Sequence, residues 1–138
     1  MTYTVVPDIH ADLERLKWSI EKAQGSKMIF LGDLIDAGKL VENPNDLGVL
    51  QCVSHLISDG HASCILGNHE LNAILFHRRA STTNAPLRSH KEQNSKQHKS
   101  FIEAFGVESS DALSWTAWML ETLPLWLEFD GLRIAHAC

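Results

Sequence analysis

The sequence has no long hydrophobic run and only three cysteines among its 138 residues. Its apolar runs last a few residues, whereas a helix that crosses a bilayer needs about 20. Residues 1–6 lack the basic start and apolar stretch of a signal peptide. We therefore expect a cytoplasmic protein that does not contact a membrane. Cys52, Cys64 and Cys138 are odd in number and not closely paired, which argues against a disulfide framework and a cysteine-rich zinc knuckle.

Motifs for several common enzyme mechanisms are also missing. Gly-x-Ser-x-Gly is absent, Cys64 is not followed by a suitably spaced arginine, and the Gly-Ser-Lys at 25–27 is not a P-loop. His69 and Glu70 begin like the helix of a zinc protease, but position 73 is Ala73 rather than a second histidine. The sequence therefore offers no obvious covalent nucleophile and does not predict a metalloprotease.

The composition is that of one globular domain with an uneven charge. Hydrophobic residues make up 44%, charged residues 21%, and 12 basic against 17 acidic residues give a net charge of −5. Segment 78–99 has six basic residues and one acid, a balance of +5 that leaves −10 for the rest. The basic residues are Arg78, Arg79, Arg88, Lys91, Lys96 and Lys99, and the acid is Glu92. This segment lacks hydrophobic periodicity, so we expect an exposed basic polar insertion, either near a substrate or simply solvated.

Three apolar runs, each ending in a polar loop before a helix, predict an α/β layered fold. Strands are expected at 3–6, 28–31 and 62–66. Helices are expected at 12–23, from Asn45 or Asp46 to just before Gly60, and from 110 or 111 to just before Pro124. Asp130-Gly131 predicts a hairpin that joins 125–129 to 132–135.

The ends of these strands carry the side chains that could perform chemistry. They are Asp8, His10, Asp33, Asp36, Asn68, His69 and Glu70, with His136 at the end of the hairpin. Carboxylates, imidazoles and an amide without thiolate suit a catalytic site for Mn²⁺, Fe or Zn²⁺. Each residue alone could instead be a helix cap, a turn acid, or a surface or packed histidine. We keep this last interpretation for His55, His61, His77, His90 and His98. As a set, several like charges at one edge of a sheet require a cation.

Four motifs in this order resemble those of the calcineurin-like metallophosphoesterases. They are Asp8-Ile9-His10, Gly32-Asp33-Leu34-Ile35-Asp36, Gly67-Asn68-His69-Glu70 and His136-Ala137. The resemblance covers nearly the whole chain except the basic segment, and implies a layered β-sandwich flanked by helices. The passage from Leu123 to His136 is most similar to the branch of Ser/Thr protein phosphatases and dinucleoside tetraphosphatases.

The resemblance implies a site with two divalent metal ions, of Mn, Fe or Zn. Asp8 and His10 would bind one ion, Asp33 would bridge both, and Asn68 and His136 would bind the second. A hydroxide bridging the ions would attack a phosphate ester or a nucleotide phosphoanhydride in line. His69 would protonate the leaving oxygen, oriented by Asp36, with Glu70 in a supporting role. No substrate-binding residue is identified.

The sequence departs from the family pattern at several places. Pro7 and Ala11 stand where the family usually has glycine. The protein phosphatase branch has arginines where this chain has Ala37 and Leu66, so Lys39 or a basic residue of the insertion would have to hold phosphate. The chain stops two residues after His136, before the Gly-His-x-His-type motif of the family. We therefore expect residues 1–138 to be the N-terminal portion of a single catalytic domain whose incomplete sheet exposes strand edges and favours homo-oligomers.

Two classes of function remain open from the sequence. The favoured one is a metal-dependent phosphoesterase that acts on a phosphorylated small molecule, a nucleotide or a phosphoprotein. The alternative is a truncated, non-catalytic metal- or phosphate-binding regulatory module of the same fold. A nucleic-acid-binding domain is least favoured, because the chain is acidic and its basic segment lacks interleaved aromatic residues.

Overall fold

Three short parallel strands form the sheet that organises the chain in the computed structural model, which describes residues 2–136. They are β1 (Tyr3–Val6), β2 (Lys27–Phe30) and β3 (Ala62–Cys64), in the order β1-β2-β3. Helices α1 (Leu13–Ala23) and α2 (Asp46–Ser58) make the two connections between them. The mixed α/β class predicted from the sequence is confirmed. Ala137 of the fourth motif and Cys138 lie outside the described residues.

The register of the sheet brings the ends of its strands together. Val6 pairs with Phe30, and Phe30 pairs with Cys64, so all three strands end level with one another. Phe30 is fully buried, as expected for a central strand that has helices on its faces. The polar loops that follow the strands therefore meet at one edge of the sheet.

Both crossover helices begin where their caps predict. The Asp12 side chain accepts a hydrogen bond from Arg15 N at 3.1 Å, and the Asn45 side chain accepts one from Gly48 N at 2.8 Å. Leu16 of α1 and Leu50 of α2 are fully buried in the core. The apolar face of each helix thus covers the sheet while its cap fixes the preceding loop.

Four further helices follow the sheet. Helix α3 (Asn68–Phe76) packs against α6 (Ser110–Thr122), and α4 (Glu92–Gln97) is followed at once by α5 (Lys99–Phe105). The sequence predicted the bounds of α6 alone among these four. No helix within residues 2–136 is long and apolar enough to cross a membrane.

The predicted hairpin is confirmed and forms a second, two-stranded antiparallel sheet. Strand β4 (Trp126–Phe129) pairs with β5 (Leu132–Ala135). The rings of Tyr3 and Phe129 lie 4.6 Å apart, and Leu66 N donates to Pro124 O at 2.8 Å. These contacts hold the hairpin beside the parallel sheet.

Most of segment 78–99 is exposed or half-buried, but one histidine near its end is buried. The segment contains α4, and His98 is buried with only 4% of its surface exposed. His90 stacks on Phe76 at 4.1 Å between ring centroids, and His98 stacks on Phe101 at 4.4 Å. Burial of these aromatic faces fixes the segment against the body of the protein, and its polar composition concealed this.

Much of the positive charge of the segment is paired locally. Arg79 binds Glu108 through two hydrogen bonds of 2.8 Å. The other ion pairs of the segment join Lys96 to Glu92 and Lys99 to Glu103. The excess positive charge therefore does not form one free cationic surface.

Candidate active site

The loops after β1 and β2 are joined by backbone hydrogen bonds. Ile9 N and His10 N both donate to Asp33 O, at 3.0 and 2.9 Å, and Ala11 N donates to Leu34 O at 2.7 Å. Because one carbonyl accepts two amides, the two loops cannot move independently of each other. Asp8 and His10 are thereby held beside Asp33.

Four non-glycine residues of these loops adopt the left-handed backbone conformation. Their φ angles are 48° at His10, 61° at Ala11, 54° at Asp33 and 65° at Asp36. Left-handed φ costs a residue with a Cβ atom about 1–2 kcal/mol, and glycine avoids this cost. The conformation of Ala11 explains why glycine suits this position.

Two glycines allow the loop after β2 to touch the start of α3. A Cβ atom on Gly32 would lie 2.6 Å from Gly67 N, and one on Gly67 would lie 2.4 Å from both Asp33 N and Asp33 Oδ1. Neither position has room for a side chain. The close approach places Asn68 and His69, the first residues of α3, directly against Asp33.

The Asp33 carboxylate lies at the centre of the proposed ligands. Asp33 Oδ2 is 3.2 Å from His136 Nε2 and 3.9 Å from His10 Nε2, and Asp8 Oδ2 is 3.6 Å from His10 Nε2. Two groups, Asp8 with Asp33 and His136, and His10 with Asp33 and His69, each offer ligand atoms within 4.8 Å of one another. The structure thus brings together five of the residues singled out in the sequence.

Two of the three imidazoles at this cluster, those of His10 and His136, are each oriented by a backbone carbonyl. His10 Nδ1 lies 3.0 Å from Ile35 O, and His136 Nδ1 lies 2.6 Å from Leu31 O. Since a carbonyl only accepts, Nδ1 carries the hydrogen in each ring and, in the neutral form, Nε2 presents a lone pair. Those lone pairs face carboxylate oxygens, an arrangement of acceptors that a cation stabilises.

The Asn68 amide lies in the same group of acceptors. Its Oδ1 is 2.8 Å from His136 Nε2, and the same position on the amide is within 3.2 Å of both carboxylate oxygens of Asp33. In this orientation the oxygen would be available to a cation, whereas the flipped amide would donate to Asp33 and His136. The donor set of carboxylates, imidazoles and amide oxygen therefore fits hard and borderline divalent cations.

Glu70 is completely buried and accepts hydrogen bonds from the loop after β2 and from the residue that precedes α3. Its Oε1 accepts from Asp33 N at 2.6 Å and from Gly67 N at 3.1 Å, and its Oε2 accepts from Leu34 N at 2.9 Å. Burial and the charge of Asp33 raise the pKa of Glu70 to about 7 against the opposing effect of these amides. One carboxylate thus joins the start of α3 to the loop after β2.

His69 and Asp36 form a hydrogen-bonded pair beside the cluster. His69 Nδ1 lies 2.8 Å from Asp36 Oδ2, and His69 N donates to Asp33 Oδ1 at 3.1 Å. The bond with Asp36 raises the pKa of His69 although partial burial opposes it. Burial raises the pKa of Asp36, but hydrogen bonds from His69 and His98 outweigh this and lower it.

Three residues that support Asp36 were not identified from the sequence. His98 Nδ1 lies 2.6 Å from Asp36 Oδ1, Asp36 N donates to Asp46 Oδ2 at 3.1 Å, and Ala37 N donates to Ser100 Oγ at 2.9 Å. Burial raises the pKa of Asp46. Asp46 resembles an ordinary acid at a helix start, and His98 and Ser100 belong to a polar stretch without a motif, so the sequence carried no signal for them.

A cleft of about 360 Å³ opens over these groups. His10, Asn68, His69 and Gln97 are among the residues that line it. Arg88 lines an adjoining recess together with Asp36 and His69, and its Nη2 donates to Asn94 Oδ1 at 3.0 Å and to Gln97 Oε1 at 3.2 Å. Arg88 is thus a cation held close to the site, although positions 37 and 66 lack arginine.

Comparison with known proteins agrees with this geometry. The calcineurin-like phosphoesterase family model matches residues 1–132, which include every candidate residue of the site except His136. No curated protein matches the chain.

Proposed function

The chain belongs to the calcineurin-like phosphoesterase family, and from this premise we propose that it hydrolyses phosphate esters or phosphoanhydrides with two divalent metal ions at the cluster around Asp33. The family implies metal-dependent phosphoester hydrolysis. The observation that supports this proposal best is that His10 and His136 each place Nδ1 against a backbone carbonyl and Nε2 within 3.9 Å of the Asp33 carboxylate. When the rings are neutral, the Nε2 atoms and the carboxylate oxygens are all acceptors, and cations would satisfy them together.

The family resemblance suggests how the ligands would be shared. Asp8 and His10 would hold one ion, Asn68 and His136 would hold the other, and Asp33 would serve both. Bound there, divalent cations supply Lewis acidity, which activates water and neutralises phosphoryl oxygens. Nitrogen and oxygen donors without thiolate favour Mn, Fe or Zn in this role.

We assign the general acid to His69 and its orientation to Asp36. Because the His69 Nδ1 hydrogen is donated to Asp36 Oδ2, the ring presents its Nε2 atom to the cleft. A proton on Nε2 can pass to the leaving oxygen of an ester, a step that accelerates hydrolysis about 10²–10⁴-fold. Glu70 keeps Asp33 and the start of α3 in place through its three backbone contacts.

Arg88 is our candidate for the phosphate-binding group. Its recess adjoins His69 and Asp36, and the Asn94 and Gln97 contacts hold its guanidinium there. A held guanidinium recognises phosphate oxygens more strongly than a mobile lysine. We propose substrates with an accessible phosphoryl group, namely a phosphorylated small molecule, a nucleotide or a phosphoprotein, as in the Ser/Thr protein phosphatase and dinucleoside tetraphosphatase branch.

The test combines metal binding with turnover. The 138-residue chain is loaded with Mn²⁺, Zn²⁺ or Fe²⁺, bound metal is counted by plasma mass spectrometry, and hydrolysis of p-nitrophenyl phosphate and its diester is followed. Asp33→Asn keeps the shape and the left-handed backbone, and we expect it to lower both metal content and kcat. Asp59→Asn, an exposed control, leaves them unchanged. Metal binding without turnover would favour the non-catalytic module. If Asp33→Asn keeps both the metal content and the kcat of the unmodified chain, the proposed metal site is wrong.

A further inference from the structure

Two more imidazoles continue the hydrogen-bonded pair of His69 and Asp36 into the protein. His98 Nδ1 lies 2.6 Å from Asp36 Oδ1, the oxygen that His69 does not use. His98 Nε2 lies 2.9 Å from His77 Nε2. The chain of contacts ends at Glu108, whose backbone N donates to His77 Nδ1 at 2.9 Å.

The direction of every hydrogen bond in this series follows from the one that the Glu108 amide makes. The Glu108 amide can only donate, so His77 Nδ1 accepts, and in the neutral ring the hydrogen is on His77 Nε2. That hydrogen points at His98 Nε2, which must accept, so the hydrogen of His98 is on Nδ1. His98 Nδ1 then donates to Asp36 Oδ1. One backbone amide thus sets the tautomer of two histidines and supplies a donor to Asp36.

The surroundings keep both rings dry and fixed. His77 and His98 are 2% and 4% exposed. His98 stacks on Phe101 at 4.4 Å, and Phe76 lies edge-on to both imidazoles at 5.1 Å. Burial lowers the pKa of His77 to about 4, consistent with the neutral ring that the bond pattern requires. All four ring nitrogens have partners, so the chain is a fully satisfied buried polar network.

Glu108, the residue at the far end of this series of hydrogen bonds, has an unusual backbone conformation. Glu108 has a φ of 53°, and its backbone N–H donates to His77 Nδ1. The Glu108 side chain is held by Arg79 through two hydrogen bonds of 2.8 Å. The left-handed backbone is costly for glutamate, and the ion pair holds the residue that bears the amide.

We propose that His98 and His77 are positioning residues for the general acid. With Oδ1 occupied by His98, Asp36 can offer only Oδ2 to His69, and the carboxylate cannot rotate away. His69 therefore keeps its Nδ1 hydrogen on Asp36 and its Nε2 toward the leaving oxygen. The positioning role of His98 and His77 rests on the proposed function of His69. The donor and acceptor assignments from Glu108 to Asp36 do not depend on that function.

The first test is spectroscopic and needs neither metal nor turnover. Imidazole nitrogen NMR of the 138-residue chain, labelled at histidine, distinguishes protonated from unprotonated ring nitrogens. We expect the hydrogen on Nε2 in His77 and on Nδ1 in His98, with slow exchange for both. A hydrogen on Nε2 of His98, or averaging between the two tautomers, overturns the proposal.

The second test separates positioning from structural support. We compare Mn²⁺-dependent hydrolysis of phenyl phosphate, whose poor leaving group needs an acid, with that of p-nitrophenyl phosphate, which needs it less. We expect His98→Phe to lower kcat on phenyl phosphate about 10- to 100-fold, the usual effect of losing a supporting hydrogen bond at such a site, with a smaller loss on p-nitrophenyl phosphate and little change in KM. His98→Asn retains a donor toward Asp36 and should recover most of the activity.

A matched control is available on the same aromatic surface. His90 stacks on Phe76 and contacts its carbonyl, but makes no contact with Asp36. We expect His90→Phe to affect both substrates equally and slightly. An equal loss on both substrates in His98→Phe, without rescue by His98→Asn, overturns the positioning role. If the unmodified chain has no turnover with any metal, the proposed function and the positioning role fail together, while the NMR result still decides the hydrogen-bond order.

Discussion

His136 Nδ1 contacts Leu31 O at 2.6 Å across a separation of 105 residues in the chain. The contact fixes the imidazole with Nε2 3.2 Å from Asp33 Oδ2 and 2.8 Å from Asn68 Oδ1. One backbone carbonyl at the end of the parallel sheet therefore orients a side chain that the hairpin supplies. The candidate metal centre depends on this joint between the two sheets.

We expect His136→Ala to reduce bound metal from two ions per chain to one. The substitution removes a ligand of the ion held with Asn68, whereas Asp8 and His10 remain for the other. Plasma mass spectrometry after dialysis against a small excess of Mn²⁺ measures the ratio. His61→Ala, which truncates an exposed histidine, should retain two ions. Two ions in His136→Ala would show that the hairpin supplies no ligand.

Gly67→Ala should damage the site through sterics alone. The new Cβ atom would lie 2.4 Å from Asp33 N, so the loop after β2 must shift. We expect a loss of about 1–3 kcal/mol in the free energy of unfolding, typical of overpacking, together with weaker metal binding. Urea unfolding measures the first effect and metal titration the second. Gly38→Ala, where no atom lies within 4 Å of an added Cβ, should be nearly neutral.

Glu70→Gln tests the support beneath Asp33. Glutamine keeps the size of the side chain but turns one acceptor into a donor that faces backbone N–H groups of Asp33, Gly67 or Leu34. Two buried donors that face each other without an acceptor lower the free energy of unfolding by about 1–3 kcal/mol. We expect urea unfolding to show that decrease. Glu103→Gln on the exposed face of α5 serves as the control. Equal stability of the two variants would contradict the supporting role of Glu70.

Stability should fall on acidification because of His77. Its pKa is about 4 in the folded protein, below the ordinary value of 6.5, so the unfolded chain binds more protons between these values. The free energy of unfolding therefore decreases as pH falls from about 6.5 toward 4, by at most about 3 kcal/mol from this residue. Urea titrations across this range should show a flatter dependence for His77→Phe than for the unmodified protein. The same slope in both would place the proton uptake elsewhere.

Arg88→Ala should weaken substrate binding more than chemistry. We expect KM for phosphate esters to rise about 10-fold, since a charged hydrogen bond to phosphate contributes about 1.5–3 kcal/mol, with a smaller change in kcat. Steady-state kinetics at two salt concentrations measure this, and Arg88→Lys should recover part of the loss. Lys91→Ala removes an exposed cation from the same segment and should leave KM unchanged.

The sheet and its loops could be predicted because local signals agreed with the global fold. Apolar runs end at Gly32 and Gly67, the caps at Asp12 and Asn45 mark helix starts, and Asp130-Gly131 marks the hairpin. Parallel strands that end level bring their loops together. Residues that follow the strands in the sequence are therefore expected to be neighbours in space.

The rest depended on contacts that have no local signature. The N-cap of helix α3 is Gly67, which has no side chain to signal the start of a helix. Asp36 and His98 are 62 residues apart in the chain, and they meet where His98 packs on the buried ring of Phe101. The sequence pattern shows which apolar residues favour the interior. It does not show which polar side chains become buried beside them in the folded protein.

The left-handed residues at the strand ends have a consequence for engineering this protein. His10, Ala11, Asp33 and Asp36 all hold a backbone conformation that their side chains disfavour, so the edge of the sheet is a place where stability is given up for function. Selection for heat resistance alone would favour glycine or asparagine there. Ala11 could accept glycine without losing a ligand, but the same exchange at His10, Asp33 or Asp36 would remove the groups to which we assign the chemistry of the site.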